Sequence, residues 1–178
     1  MSKKHYDYVK PIIEWAYERE IMTKGRLTKQ LLKSEQENGE LQEAIESYEN
    51  GNKDALVEIK DAIGDVYVTL VVSMALYDEE QTHSIFKKMK PTIDGVVTLD
   101  WKFYISEAKN QDTLIFKVFT DKEKTISDIA ARLSSYVTFL SMVASMYDLE
   151  LVDCIDYAYN TISKRTGKMI DGSFVKDK

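Results

Sequence analysis

Ten carboxylate side chains lie between residues 35 and 65 of this 178-residue chain, and only Lys53 and Lys60 oppose them. This segment has a formal charge of −8, whereas the whole chain has −6, so the acidity is local. Two carboxylates about 6 Å apart repel each other by about 2–3 kcal/mol at an effective dielectric constant of about 20. Oxygen ligands suit hard cations such as Mg²⁺ and Mn²⁺, so the cluster predicts a divalent-cation site. A solvated acidic helical hairpin is the alternative.

The second half of the acidic segment has a pattern that favours the metal site. On a helix with about 100° per residue, Glu58, Asp61 and Asp65 fall within an arc of about 60°. Three apolar residues continue the same direction, namely Val68, Val72 and Leu76. A solvent-facing acidic stripe normally lies opposite the apolar stripe. The pattern therefore predicts that these three carboxylates point into a helical bundle.

The first half of the segment predicts a partner for that stripe. Glu40 and Glu43 fall at the edge of the apolar face of their helix, with Glu37 behind them. Helices joined by a short turn pack antiparallel, so this pair should lie at the height of Glu58 and Asp61. The only histidines of the chain, at positions 5 and 83, lie outside the segment, which disfavours a zinc or di-iron centre.

Two short segments carry a resemblance to a known family. The sequences GELQEA at 39–44 and EIKDAIGD at 58–65 resemble the Glu-x-x-Glu and Glu-x-x-Asp motifs of MazG-like, all-α nucleoside triphosphate pyrophosphohydrolases, and 14 residues separate Glu43 from Glu58. The resemblance covers about residues 12–78, and the sequence DYAYNTISKRTGKM at 156–169 adds a second patch. It implies hydrolysis of a nucleoside triphosphate between the α and β phosphates, which releases a nucleoside monophosphate and pyrophosphate.

The resemblance also implies roles for individual residues. Magnesium would be held by five carboxylates, with manganese as a substitute: Glu40, Glu43, Glu58, Asp61 and Asp65. Glu43 or a neighbouring carboxylate would be the catalytic base. The polyphosphate needs basic and polar groups opposite the acids, and the candidates near the C-terminus are Asn160, Lys164, Arg165 and Lys168. The alternative is that these cations stabilise a helix C-terminus.

Composition restricts the partners and the compartment. A pI of about 5.1 argues against duplex nucleic acid as a partner. The single cysteine, Cys154, cannot form an internal disulfide, and the N-terminus has no apolar signal core, which together favour the cytoplasm. The longest uncharged runs, 66–77 and 133–147, are shorter than the roughly 18 residues that span a bilayer, so no membrane association is expected.

Glycine and proline are sparse, which predicts long helices and a mainly α fold in one domain. The domain should be an antiparallel helical bundle, with strands at 98–105 and 114–119 forming a small β-hairpin. The expected helices are about 6–21, 27–48, 54–77, 125–147 and 149–164. We expect metal-binding helices in 1–80, an insertion with the hairpin in 81–124, and closing helices with a basic segment in 125–178.

Three functions fit these patterns. The first is a Mg²⁺-dependent nucleoside triphosphate pyrophosphohydrolase, for which the resemblance implies a dimer or tetramer. The second is a related enzyme that acts on dUTP or phosphoribosyl-ATP. The third is a non-catalytic helical adaptor that binds a protein, although an adaptor has no need to bury carboxylates.

Overall fold

Helices form most of the computed structural model, which describes residues 3–91 and 100–177. Two 3-10 turns, His5–Tyr8 and Lys53–Ala55, precede α1 and α4. The helices are α1 (Val9–Glu18), α2 (Ile21–Lys24), α3 (Leu27–Glu49), α4 (Leu56–Lys88), α5 (Trp101–Thr120), α6 (Ile126–Met146) and α7 (Leu151–Ile162). The two strands, β1 (Gly167–Ile170) and β2 (Ser173–Lys176), pair antiparallel with Gly167 opposite Lys176. The predicted mainly α fold with one small hairpin is confirmed.

The position of the hairpin was predicted wrongly, because residues 101–120 form the helix α5. The side chain of Asp100 caps this helix by accepting a hydrogen bond from the Lys102 N–H at 3.0 Å. Buried residues recur at helical spacing along its whole length: Tyr104, Ala108, Gln111, Ile115, Val118 and Phe119. This helical spacing of buried residues extends over the whole of α5, whereas the apolar–polar alternation that suggested a strand covers only residues 98–105. Residues 98 and 99 of the first predicted strand lie outside the described residues.

The helix α4 occupies the centre of the bundle and packs against α1, α3, α6 and α7. Its residues 62–75 are buried on every side, which explains the apolar run that continues the acidic stripe. The helix is longer than predicted and bends at Asp78, whose φ and ψ angles are −155° and 92°. Asp78 ends one helical segment and caps the next, since its Oδ1 accepts a hydrogen bond from the Gln81 N–H at 3.1 Å.

The helices α5 and α6 pack together and complete the bundle against α3 and α4. Thr125 caps α6 in a capping box with Asp128. By length and composition α6 is apolar enough to cross a membrane. In this fold its apolar residues Leu133, Val137 and Leu140 are buried in the core of the bundle.

The C-terminal hairpin is attached to the beginning of α3. The Arg26 N–H donates a hydrogen bond to the Gly172 carbonyl at 3.3 Å, and the Arg26 guanidinium donates one to the Asp171 carbonyl. Gly172 has a φ angle of +80°, and a Cβ atom there would lie 2.5 Å from Arg26 Nε. Glycine therefore suits both the turn and its contact with α3. This attachment places the hairpin beside the acidic helices.

Candidate functional site

A cavity of about 370 Å³ lies between the C-terminal hairpin, α3 and α4. Its wall contains two carboxylates, Glu37 and Asp65. Four cationic side chains also line it: Lys29, Lys33, Arg165 and Lys176. The apolar part of the lining consists of Trp15, Ile21, Val68, Ile162, Phe174 and Val175. The cavity thus combines acidic, basic and apolar walls.

The two carboxylates in this wall are buried and come from facing helices. Glu37 of α3 forms an ion pair with Lys33, whose Nζ lies 2.5 Å from Glu37 Oε1. Asp65 of α4 forms an ion pair with Arg165, whose Nη1 lies 3.5 Å from Asp65 Oδ2. Burial of a carboxylate is unfavourable without a cation, and here each acid has one.

Burial, together with the negative charge of Glu37, raises the pKa of Asp65 from its ordinary value of 3.8 to about 7. Arg165 acts in the opposite direction, but its charge does not offset the loss of solvation. Burial also raises the pKa of Asp61, and the negative charge of Glu40 contributes. Four carboxylates from adjacent turns of α3 and α4 therefore act on one another: Glu37, Glu40, Asp61 and Asp65.

The structure shifts the predicted carboxylate set by one helical turn. Glu40 is exposed and Asp61 is half-buried, and neither lines the cavity. Asp61 Oδ1 has no hydrogen-bond partner among the described residues. Glu43 and Glu58 are both exposed, so the prediction that Glu58 points into the bundle is wrong. Glu43 is rotated about 120° from the buried Glu37 around α3, which turns it toward solvent. Glu58 lies about 20° from the buried Asp65 around α4, so its exposure follows from its place in the first turn of the helix and not from its direction. Glu37, expected behind the others, is instead one of the buried acids.

The donor set has the chemistry of a Mg²⁺ site, although its acids are not drawn together around one point. Within residues 3–91 and 100–177, no three aspartate, glutamate, histidine or cysteine side chains are grouped so that they could hold a metal ion. Carboxylate oxygens are the ligand type that magnesium prefers, and Asp61 Oδ1 is buried without a hydrogen-bond partner among the described residues. Two further acids that would complete the set of metal ligands, Glu37 and Asp65, form ion pairs with Lys33 and Arg165.

Of the four predicted substrate residues, only Arg165 lines the cavity. Asn160 and Lys164 line a separate surface hollow, and the Asn160 amide donates a hydrogen bond to Asp156 Oδ2 at 3.0 Å. Lys168 is exposed on β1. Gly167 begins β1. The chain therefore turns into the hairpin between Arg165 and Lys168, which separates their side chains.

Sequence reasoning missed the cations and the aromatic ring that complete the cavity. Lys33 had a readable signal, since it lies four residues before Glu37 on the same helix face. Phe174 and Lys176 had none, because the hairpin was not predicted there. Phe174 packs edge-to-face on Trp15 with the ring centroids 6.2 Å apart, so the hairpin provides the aromatic end of the cavity.

A second buried polar cluster holds the middle of α3. The Asn38 amide donates hydrogen bonds to the Ala108 carbonyl at 2.8 Å and to Asp112 Oδ2. The Tyr136 hydroxyl donates to Asp112 Oδ1 at 2.8 Å. Asn38 lies between Glu37 and Glu40 in the sequence, so α5 and α6 orient the turn of α3 that carries these acids.

Comparison of the chain with protein-family models, curated proteins and solved structures gave no match. The resemblance to the MazG-like enzymes therefore rests on the two short motifs and the C-terminal patch alone.

The raised pKa of Asp65 predicts a pH dependence of stability. A carboxyl group whose pKa is higher in the folded state binds its proton more tightly there. Its contribution to the free energy of unfolding is therefore largest below about pH 4. Stability should fall as pH rises from about 4 to about 7, by on the order of 3 kcal/mol. Asp65→Asn should remove this component, so the variant should gain stability over the wild type as pH rises. Urea unfolding of the wild type and of Asp65→Asn at pH 4.5 and pH 7.5 measures the difference in their free energies of unfolding. The same difference at both pH values would contradict this prediction.

Proposed function

We propose that this protein is a divalent-cation-dependent nucleoside triphosphate pyrophosphohydrolase. The observation that carries the proposal is the cavity in which two buried carboxylates of α3 and α4 face four cationic side chains. The motif resemblance supplies the reaction, which is cleavage between the α and β phosphates. A solvated acidic hairpin or an adaptor gives no reason to bury Glu37 and Asp65 beside a cavity.

The residues divide into three groups by chemistry. Glu37, Glu40, Asp61 and Asp65 would hold Mg²⁺, which when bound polarises the attacking water and neutralises phosphate charge. Lys33, Arg165 and Lys176 bind the polyphosphate, with Lys29 at the edge. Trp15 and Phe174 contact the nucleobase, because aromatic rings stack on any base. The cavity is thus divided into an acidic and basic part for the phosphates and an apolar part for the base.

Two of the sequence predictions remain separate proposals. Glu43 as the catalytic base is proposed from the resemblance, and its exposed side chain lies outside the cavity lining. A dimer or tetramer is proposed on the same ground. The related reactions on dUTP and phosphoribosyl-ATP require the same carboxylates and phosphate ligands and differ only in the apolar part.

A substrate panel tests the proposal. The protein is incubated with the common NTPs, dNTPs and phosphoribosyl-ATP plus Mg²⁺, and released pyrophosphate is measured. We expect pyrophosphate from at least one nucleotide and none when EDTA is present. Release from none of them would favour the adaptor.

Divalent cations should raise the melting temperature of the protein. A cation that joins the four carboxylates relieves their mutual repulsion and binds only the folded state. At ten times the Kd this stabilises the fold by about 1.4 kcal/mol, or about 3–6 °C for a chain of this length. Differential scanning fluorimetry with Mg²⁺, Mn²⁺ and a matched concentration of Na⁺ measures the shift. A folded sample with no shift at millimolar Mg²⁺ or Mn²⁺ would contradict the site.

A further inference from the structure

The charges that line the cavity do not cancel. Its wall holds four cationic side chains and two carboxylates, and each carboxylate is already paired with one of the cations. The other two cations, Lys29 and Lys176, form no ion pair with any residue in 3–91 and 100–177. Both residues are exposed, so their ammonium groups are available to a solute that enters the cavity. The lining thus has an excess of two positive charges.

Another part of the lining is apolar and contains two aromatic rings. Trp15 and Phe174 pack edge-to-face, with their ring centroids 6.2 Å apart. The Trp15 Nε1–H donates a hydrogen bond to the Ile162 carbonyl at 3.0 Å, which fixes the indole ring in the wall. The same lining includes the aliphatic side chains of Val68 and Ile162. A flat apolar group that enters the cavity therefore meets aromatic and aliphatic contacts that are already in position.

We propose that this cavity binds a small organic dianion, a phosphate monoester of an aromatic or heteroaromatic group, without a metal ion. Lys29 and Lys176 hold the phosphate, and the ring lies against Trp15 and Phe174. The two excess positive charges match the two negative charges that a phosphate monoester carries above its second pKa of about 6. The inference goes beyond the proposed function, because it requires neither a divalent cation nor hydrolysis of the ligand.

The volume and the charge of the cavity favour this ligand over other anions. A volume of about 370 Å³ is near the lower end of the range for ligand cavities, which suits one ring with one phosphate group. Water screens exposed lysines, so a phosphate group alone gains little from them. Burial of the ring against apolar surface supplies the remaining affinity. An anion without a ring, or a ring with one negative charge, should therefore bind more weakly.

Isothermal titration calorimetry of the full chain tests the inference at about pH 8 in excess EDTA. The probes are phenyl phosphate, methyl phosphate, which lacks the ring, and benzenesulfonate, which has the ring and one negative charge. Phenyl phosphate should bind with a Kd below about 1 mM, and each of the other two should bind at least about fivefold more weakly. EDTA prevents the proposed hydrolysis, so this experiment and the substrate panel can fail independently of each other.

A double variant tests the two lysines. Lys29→Gln/Lys176→Gln should weaken the binding of phenyl phosphate about tenfold, because both excess charges are gone. The matched control is Lys109→Gln/Lys122→Gln, which removes two exposed lysines of α5 and the turn after it that do not line the cavity. The control should leave the affinity unchanged. Circular dichroism should show the same helix content for both variants.

The aromatic wall is tested separately. Phe174→Leu keeps an apolar side chain and should weaken the binding of phenyl phosphate about fivefold, because aromatic stacking is lost. Trp101→Phe leaves Trp15 as the only tryptophan of the chain, so its fluorescence should change when phenyl phosphate binds. This signal locates the ligand in the cavity.

Three results would each overturn the inference. The first is a Kd above about 1 mM for phenyl phosphate in EDTA. The second is an equal loss of affinity in the cavity variant and the control variant, which would show a general attraction of the protein for anions. The third is an unchanged Trp15 fluorescence in Trp101→Phe at saturating phenyl phosphate, which would place the ligand elsewhere.

Discussion

Asp61→Asn is expected to lower the rate of pyrophosphate release at least about 100-fold while the protein stays folded. The change keeps the shape of the side chain and removes one negative charge. Asp61 Oδ1 is buried without a hydrogen-bond partner in the described part of the chain, and the charge of Glu40 acts on it, so it is the acid best placed to accept a cation. In the metal-free protein the variant should be as stable as the wild type or more stable, because repulsion is removed.

Glu58→Gln is the control that separates the structure from the sequence motif. Glu58 lies three residues before Asp61 and belongs to the predicted metal set, yet its side chain is exposed. It should keep nearly full activity, because an exposed charge contributes little. Steady-state assays with both variants at saturating Mg²⁺ decide the matter. An active Asp61→Asn with an inactive Glu58→Gln would show that the metal lies nearer the connecting turn.

Gly64→Ala is expected to destabilise the fold by about 2 kcal/mol and to lower the melting temperature by about 4–8 °C. A Cβ at position 64 would lie 2.3 Å from the Cys154 carbonyl oxygen and 2.5 Å from Ala158 Cβ. The carbonyl belongs to the backbone of α7, so α4 and α7 must move apart. Overpacking of this kind costs about 1–3 kcal/mol, with backbone contacts at the upper end. The higher helix propensity of alanine offsets about 1 kcal/mol of that cost.

Gly39→Ala is the matched control, since it makes the same change within the helix α3. A Cβ there would meet no atom within 4 Å. This variant should gain about 0.5–1 kcal/mol from helix propensity alone. Thermal unfolding followed by circular dichroism compares the two. Equal effects of both substitutions would contradict the close approach of α4 and α7 at Gly64.

Local chemistry made much of the helical framework readable from the sequence. The sparse glycines and prolines predicted long helices, and the apolar run after Asp65 predicted a core face. Helix α3 was expected at about 27–48 and spans Leu27–Glu49, and α6 was expected at about 125–147 and spans Ile126–Met146. The error at α5 arose because the alternation over the eight residues 98–105 looks like a strand, while the helical period becomes visible only over twenty residues.

The site was readable only in part. The helical wheel correctly predicted that the side chains of Asp61 and Asp65 point toward the bundle, because both precede a buried apolar face on the same helix. The helical wheel failed for Glu58, because it gives only the direction of a side chain. Whether neighbouring helices cover the first turn of α4 does not follow from the sequence pattern of α4 alone. Lys176 comes near Asp61 and Asp65 only through the C-terminal hairpin, and no local pattern in the sequence encodes that long-range contact.

The most direct test of the central claim is the identity of the products formed from a nucleoside triphosphate. Purified protein, Mg²⁺ and the nucleotide that gave most pyrophosphate in the panel are incubated and followed by ³¹P NMR. We predict nucleoside monophosphate and pyrophosphate in equal amounts, with no nucleoside diphosphate, and no reaction with Asp61→Asn. Formation of nucleoside diphosphate and inorganic phosphate, or no turnover by the wild type, would contradict the proposed function.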